Sequence, residues 1–309
     1  MTRYIVRRLL WLPLLLLAVS VITFALGLYG PGDPVQVLMG QHSNPETVAR
    51  IRQERGLDRP FHEQYVLYVA HALQGDLGES YKYRGQPIGP LILDRIWVSV
   101  QLGLVALAMA VFLGVPLGVL AALKANTWVD RLTVGLTVAG ISTPTFVLAP
   151  IVTWFFARQL RVLPAGGWDG IFSTKIIMPA LVLGLGAVAV FARQTRASLL
   201  EVLNQDYVRT ARAKGLRERT VIVGHALRNA LLPIFTLLGM MLGDLPAGAF
   251  IVENVYGIPG IGRLGFESFF ARDYPLIMAL TLIVAASYVL VNLVVDVGYV
   301  FLDPRIRYA

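Results

Sequence analysis

Residues 97–123 read WVSVQLGLVALAMAVFLGVPLGVLAAL, an unbroken run without one charged side chain. Wound as a helix, it is about 40 Å long at 1.5 Å per residue. The hydrocarbon core of a bilayer is about 30 Å thick, so about 20 apolar residues cross it. A helix that is apolar on every face and longer than this has lipid for its solvent. Five further stretches share this character: 9–29, 132–157, 176–192, 231–252 and 276–302. The fourth of the six, 176–192, is the shortest and can extend toward Leu200. The expectation is an all-α polytopic membrane protein with six transmembrane helices.

Composition agrees. Of 309 residues, 56% are hydrophobic and only 15% charged, with a mean hydropathy of +0.65. A typical soluble domain is about 25% charged. Six spans and their loops use up the chain, so one transmembrane domain over 1–309 is expected. The net charge is +8. In a soluble protein that excess would suggest nucleic acid. Here the basic residues flank spans and set orientation, so no nucleic-acid partner is expected. Cysteine is absent, which excludes disulfides, thiol catalysis and cysteine-ligated metal. The first stretch follows Arg3, Arg7 and Arg8. It runs into Gly30-Pro31-Gly32-Asp33-Pro34 without a small-residue cleavage site, so it reads as a retained helix and not a signal peptide.

Orientation follows from short basic loops. The N-terminus carries three arginines. The loop between the fourth and fifth spans holds Arg193, Arg196, Arg209, Arg212, Lys214, Arg217, Arg219 and Arg228, and the tail holds Arg305 and Arg307. With six spans all three fall on one side, which predicts cytoplasmic N- and C-termini. Segment 30–96 is then external. Pro45-Glu46-Thr47 leading into Val48, Ile51 and Gln53 reads as a short helix start. Residues 60–73 place Phe61, Tyr65, Leu67, Tyr68 and Ala72 near helical spacing, until Gly75-Asp76-Leu77-Gly78 ends the run. Prolines 116, 144, 150, 179, 233 and 246 interrupt the spans. Each removes a backbone donor and favours a kink.

The loop 201–233 reads EVLNQDYVRTARAKGLRERTVIVGHALRNALLP. Residues 208–214 form a short run of alanine and long basic side chains. Gly215 stops it, glycine taking the left-handed conformation cheaply. A second run from 218 to 232 resumes helical spacing through Val221, Ile222, His225 and Leu231. The predicted shape is helix, tight turn, helix. Charge alone leaves two readings open, a loop held at lipid headgroups or a docking surface for a partner. The headgroup reading does not require Gly215 between two helical runs, nor the Ala226-Leu227 pair.

Tyr207 to Gly215, followed by His225-Ala226-Leu227-Arg228-Asn229-Ala230-Leu231-Leu232-Pro233, resembles the coupling loop of permease subunits of bacterial ABC importers, in the form of the dipeptide, oligopeptide and nickel subgroup. The general importer motif begins Glu-Ala-Ala and has a glycine four residues after the last alanine. Gly215 and Ala211 match that glycine and alanine. Arg209 and Thr210 stand where the glutamate and first alanine would be, and Pro233 falls late, both as is usual for the peptide subgroup. The resemblance spans the chain: Pro31-Gly32-Asp33-Pro34, Gly56-Leu57-Asp58-Arg59-Pro60, Gly75-Asp76-Leu77-Gly78, Glu253, Pro259-Gly260, Gly262-Arg263-Leu264, Asp273-Tyr274-Pro275 and Asp303-Pro304-Arg305. The long external segment resembles the first permease of the pair.

The resemblance implies a bacterial inner-membrane protein that imports di- or oligopeptides, with nickel, glutathione or another small solute as the alternative cargo. It implies an external substrate-binding protein, a second homologous permease and one or two cytoplasmic ATPase subunits as partners, in a lipid membrane. ATP and magnesium belong to the ATPases. This chain has no phosphate-cradling loop, so it holds no cofactor and is not an enzyme. Tyr207, Arg209, Thr210, Ala211, Arg212, Ala213, Lys214, Gly215 and Leu216 are the expected ATPase-coupling residues. In that assignment Arg209, Arg212 and Lys214 meet acids on the ATPase, and Tyr207 and Leu216 fill its groove.

Asp244 sits within the fifth stretch. A charge at membrane depth faces the bundle interior or a watery cavity. Asp244 and Glu253 are therefore the candidate substrate-pathway residues, with a packing role as the other reading of Asp244. Asp296 and Asn292 in the last span read as packing residues. His42, His62, His71 and His225 form no metal-ligand spacing, so no metal site is expected. No nucleophile and base pair argues for an intramembrane enzyme, and a proton-driven carrier using Asp244 would have no use for the 207–233 loop.

Overall fold

The computed structural model describes residues 2–29, 44–54 and 56–302. The segments Pro31-Gly32-Asp33-Pro34 and Asp303-Pro304-Arg305, together with His42, Arg55 and Arg307, lie outside the described residues, as do the side chains of Arg3, Arg7, Arg8 and Asp296. The described chain is helical apart from turns, the loop 160–173 and one isolated bridge between Glu79 and Pro87.

Helix α1 covers Thr2–Tyr29. Two short helices follow, α2 (Pro45–Glu54) and α3 (Phe61–Leu73). Gly75 at φ +84° and Gly78 at φ +80° then turn the chain. Helix α4 runs from Ile88 to Leu123. It begins nine residues before the uncharged run, because Pro87 in extended geometry starts it and Asp94 and Arg95 ride on its second turn. Helix α7 (Ile177–Leu203) packs along it. Three glycines allow the approach. A Cβ on Gly114 would stand 2.6 Å from the Val188 carbonyl oxygen, and one on Gly184 2.8 Å from that of Ala106. A Cβ on Gly118 would strike the Ala192 carbonyl oxygen. Small residues at such a seam let two membrane helices gain van der Waals contact where no hydrophobic effect is available.

Two of the apolar stretches are not straight. In 132–157 the chain forms α5 (Trp128–Ser142) and α6 (Thr145–Gln159), bent by 106°. The break is at Thr143-Pro144. Pro144 has no N–H and pushes the residue before it out of the helical region, and Thr143 sits at φ −88°, ψ 116°. The stretch 231–252 is cut short. Helix α9 (Glu218–Ala230) meets α10 (Leu232–Asp244) at 44°, with Pro233 in the first turn of α10. A 3₁₀ turn at Leu245–Ala247 contains Pro246, and Gly248 at φ +76° redirects the chain. Helices α11 (Phe250–Tyr256) and α12 (Ile261–Ala271) follow, then α13 (Tyr274–Leu302). Four described helices are long and apolar enough to cross a bilayer, and six spans result if each bent pair counts as one.

Helix α8 (Asp206–Ala213) lies with α9 at the end where α4 and α7 finish. Helices α3 and α12 lie at the opposite end. There the α3 rings Phe61, Tyr65 and Tyr68 surround Phe24 of α1 at centroid distances of 5.3–5.5 Å. The hydroxyls of Ser20 and Tyr65 meet at 2.8 Å.

Candidate functional site

Helix α8 is only eight residues long, too short to be stable alone. Its inner face holds it. Val208 and Ala211 are buried in one apolar cluster with Ala122 of α4, Leu199 of α7, and Val221, Ala226 and Ala230 of α9. Gly215 at φ +76° then sends the chain back toward α9, as the stop after residue 214 predicts. The outer face is exposed. Tyr207 and Leu216 keep about two fifths of their surface open, and Arg209, Thr210, Ala213 and Lys214 are exposed as well.

Not all of these side chains are idle. The Arg212 guanidinium donates from Nε (3.2 Å) and Nη2 (2.7 Å) to the two carboxylate oxygens of Glu218. In this chain Arg212 closes the turn between α8 and α9. Asn229 Nδ2 donates to the Tyr207 hydroxyl at 2.8 Å, which orients the ring. Among the described residues Arg209 makes only a 3.5 Å contact with Asp206.

Near this end Arg196 of α7 holds Asp130 of α5 with two parallel bonds, Nε to Oδ1 at 2.6 Å and Nη2 to Oδ2 at 2.8 Å. The Asn126 amide adds a third at 2.9 Å. Sequence reading placed Arg196 among the loop charges. Its partner, 66 positions away, left no local signal.

In the bundle, α4, α7 and the end of α10 line an open cavity of about 200 Å³. Gly103, Ala106 and Leu107 come from α4, Leu183, Gly184 and Ala187 from α7, and Met241 and Asp244 from α10. Asp244 is exposed, at the point where α10 gives way to its 3₁₀ turn. The preceding residue is a glycine with a reason: a Cβ on Gly243 would stand 2.7 Å from Asn292 Nδ2 of α13.

Glu253 is placed differently from Asp244. It is fully buried. Oε1 accepts from the Ser99 hydroxyl (2.6 Å) and the Ala249 amide (2.9 Å), and Oε2 accepts from the Arg263 amide (2.9 Å). Ser99 Oγ in turn accepts from the Ile261 amide at 2.8 Å. Gly260 and Gly262 make room, since a Cβ on Gly260 would collide with the Glu253 carboxylate. The carboxylate thus ties α11 and α12 to α4. It stands one layer behind Ser99 and Ala249, which face the cavity.

A second network fixes α12. Asp273 is fully buried and accepts from the Ser80 hydroxyl (2.5 Å) and the Lys82 amide (3.0 Å). Glu267 accepts from Lys82 Nζ and the Tyr83 hydroxyl, each at 2.6 Å, and from Arg263 Nε at 2.8 Å. Burial pushes the Glu267 carboxyl up, but these three hydrogen bonds outweigh it and hold it at about 2.

Comparison with known proteins agrees with this architecture. Residues 114–308 match the family described as "binding-protein-dependent transport system inner membrane component", and residues 1–102 match its N-terminal companion. The chain is 41% identical over 308 residues to the glutathione transport system permease protein GsiC of Salmonella paratyphi A, covering all of both chains. It is 40% identical over the same length to GsiC of Escherichia coli K12. Among solved structures, the inward-facing MetNI methionine ABC transporter superposes with a TM-score of 0.58 at 17% identity, covering 69% of this chain and 96% of that one. At that identity the likeness is one of fold. The chain belongs to the binding-protein-dependent transport family, and it is a multi-pass inner-membrane permease of an ABC importer.

Proposed function

We propose that this permease forms half of a peptide-import pathway, with di- and oligopeptides as cargo, and that α8 is the helix on which a cytoplasmic ATPase docks. The observation that carries the proposal is the two-faced build of α8, anchored by Val208 and Ala211 and open at Tyr207, Arg209, Lys214 and Leu216. A displacement of α8 pushes on Leu199 and Ala122. These belong to α7 and α4, the two helices that wall the cavity. A rigid seam between those helices carries the push to the cargo path, because packed interfaces shift between discrete arrangements rather than deform smoothly.

In this reading ATP and magnesium bind the ATPase subunits, a second homologous permease supplies the other half of the path, and an external binding protein delivers cargo. The α8 end then faces the cytoplasm and the α3–α12 end faces outward, in keeping with the arginines of α8 and α9. Asp244 meets the cargo's amino group, and Glu253 supports the wall behind it. The GsiC relatives, glutathione permeases by name, support peptides, glutathione being a tripeptide, and make glutathione itself a favoured cargo.

The test is uptake in vesicles carrying permeases, ATPases and binding protein. Deleting residues 209–215 is expected to abolish ATP-driven uptake and to free ATP hydrolysis from control by the binding protein. Undiminished uptake would overturn the assignment of α8.

A further inference from the structure

A second cavity lies far from Asp244, at the α3–α12 end, between the last two turns of α1, the end of α12 and the first two turns of α13. Its volume is about 580 Å³, within the range of about 300–1,000 Å³ typical of ligand sites. Thr23, Gly27, Phe269, Met278 and Thr281 are among its walls, and Arg272 lies at its rim. We propose that this cavity is a phospholipid site, with an acyl chain inside and the lipid phosphate on Arg272.

Depth is the first argument. Helices α1 and α13 are both candidate membrane spans, and they pack on each other. Thr281 lies seven residues into α13, about 10 Å along its axis. The cavity therefore lies beside the last turns of one candidate span and the first turns of another, where spans approach the membrane–water interface. Shape is the second. On one side α1 and α13 meet, since a Cβ on Gly27 would stand 2.5 Å from Met278 Sδ. A protein helix, about 10 Å across, does not enter such a space. A single hydrocarbon chain does, and the exposed rings of Phe269 and Phe270 make an apolar lip for it.

Charge is the third argument. Arg272 is exposed, and its guanidinium has no hydrogen-bond or ion-pair partner among the described residues. Its backbone is left-handed, φ +54°, where it ends α12. A lone cation above an apolar cavity at this depth complements a phosphate above its acyl chain.

The experiment uses the full chain in vesicles of phosphatidylethanolamine and phosphatidylglycerol, with a phosphatidylglycerol carrying a photoactivatable acyl chain. Adducts are mapped by mass spectrometry. Labelling is expected at residues 23–27 and 277–281. Arg272→Gly should lower it about five-fold, Arg272→Lys should keep it, and Thr281→Trp should exclude it. Glycine is at ease at positive φ, so Arg272→Gly should unfold no earlier than the wild type in lipid-free detergent, which separates lost lipid from lost fold. Equal labelling of wild type and Arg272→Gly would overturn the proposal. So would labelling at residues 23–27 and 277–281 that persists undiminished in Thr281→Trp.

Discussion

The two ends of this permease are built on opposite plans. At the α12 end three carboxylates, Glu253, Glu267 and Asp273, turn inward and are saturated, with Arg272 left at the rim. Glu253 and Asp273 are fully buried, and Glu267 takes three donors. On α8 the charged groups face outward, and the helix is held by two small apolar side chains, Val208 and Ala211. A saturated end is wired to itself and keeps one shape. An end with apolar roots and open polar groups is suited to exchanging water for a partner. The comparison predicts that substitutions at the first end lower stability, and substitutions at the second lower activity while sparing stability.

The largest expected effect is at Glu253. Glu253→Ala leaves the Ser99 hydroxyl and two backbone amides without their acceptor. Buried unpaired donors cost about 1–3 kcal/mol each, so a loss of about 3 kcal/mol or more is expected, read as a lower unfolding midpoint in detergent. A midpoint unchanged from wild type would break the contrast between the two ends.

Next comes Tyr207→Ala. Aromatic anchors at an interface commonly contribute about 2 kcal/mol or more. Binding of the ATPase subunit is expected to weaken roughly ten-fold or more, with the permease's own midpoint nearly unmoved. Tyr207→Phe loses only the Asn229 hydrogen bond and should bind nearly as wild type. Titration of the purified ATPase against each variant measures both.

A smaller effect sharpens the account of the saturated end. The Glu267 carboxyl is held at about 2, below its unfolded value of 4.5. Its contribution is therefore present in full above pH 4.5 and is lost as pH falls through about 2. The midpoint difference between wild type and Glu267→Gln should be constant above pH 4.5 and shrink below it. A constant difference down to pH 2 would contradict the hydrogen-bond assignment. The smallest effect is that of Arg212→Ala. The pair with Glu218 is exposed, and such pairs add little. The midpoint should not change measurably.

What the sequence made legible follows the same division. Features set by neighbours along the chain could be read. Gly215 after a short basic run gave the α8 turn, and Pro45 and Pro60 marked the starts of α2 and α3. Apolar length identified 97–123 as membrane-embedded. Features set by distant partners could not be read. Ser99 and Glu253 are 154 positions apart, and Ser80 and Asp273 are 193 apart. The bend at Thr143 was foreshadowed by Pro144, but hydropathy averages across it and reports one span. The stop after Asp244 needed two signals together, Pro246 and a left-handed Gly248, inside a stretch whose apolar character continues to Val252. Asp244 was legible as an outlier in apolar surroundings. That Glu253 is sealed behind Ser99 was not, because burial of a carboxylate leaves no mark on its own neighbours.

The central claim is that α8 is where the ATPase docks. The chain has no cysteine, so one introduced by Lys214→Cys is a unique probe. In membranes holding the assembled transporter, a short thiol-reactive crosslinker should join Lys214→Cys to the ATPase subunit, with a yield that changes when ATP is added. A cysteine introduced by Phe269→Cys at the opposite end should give no such product. An ATPase crosslink from Phe269→Cys, with none from Lys214→Cys, would contradict the account.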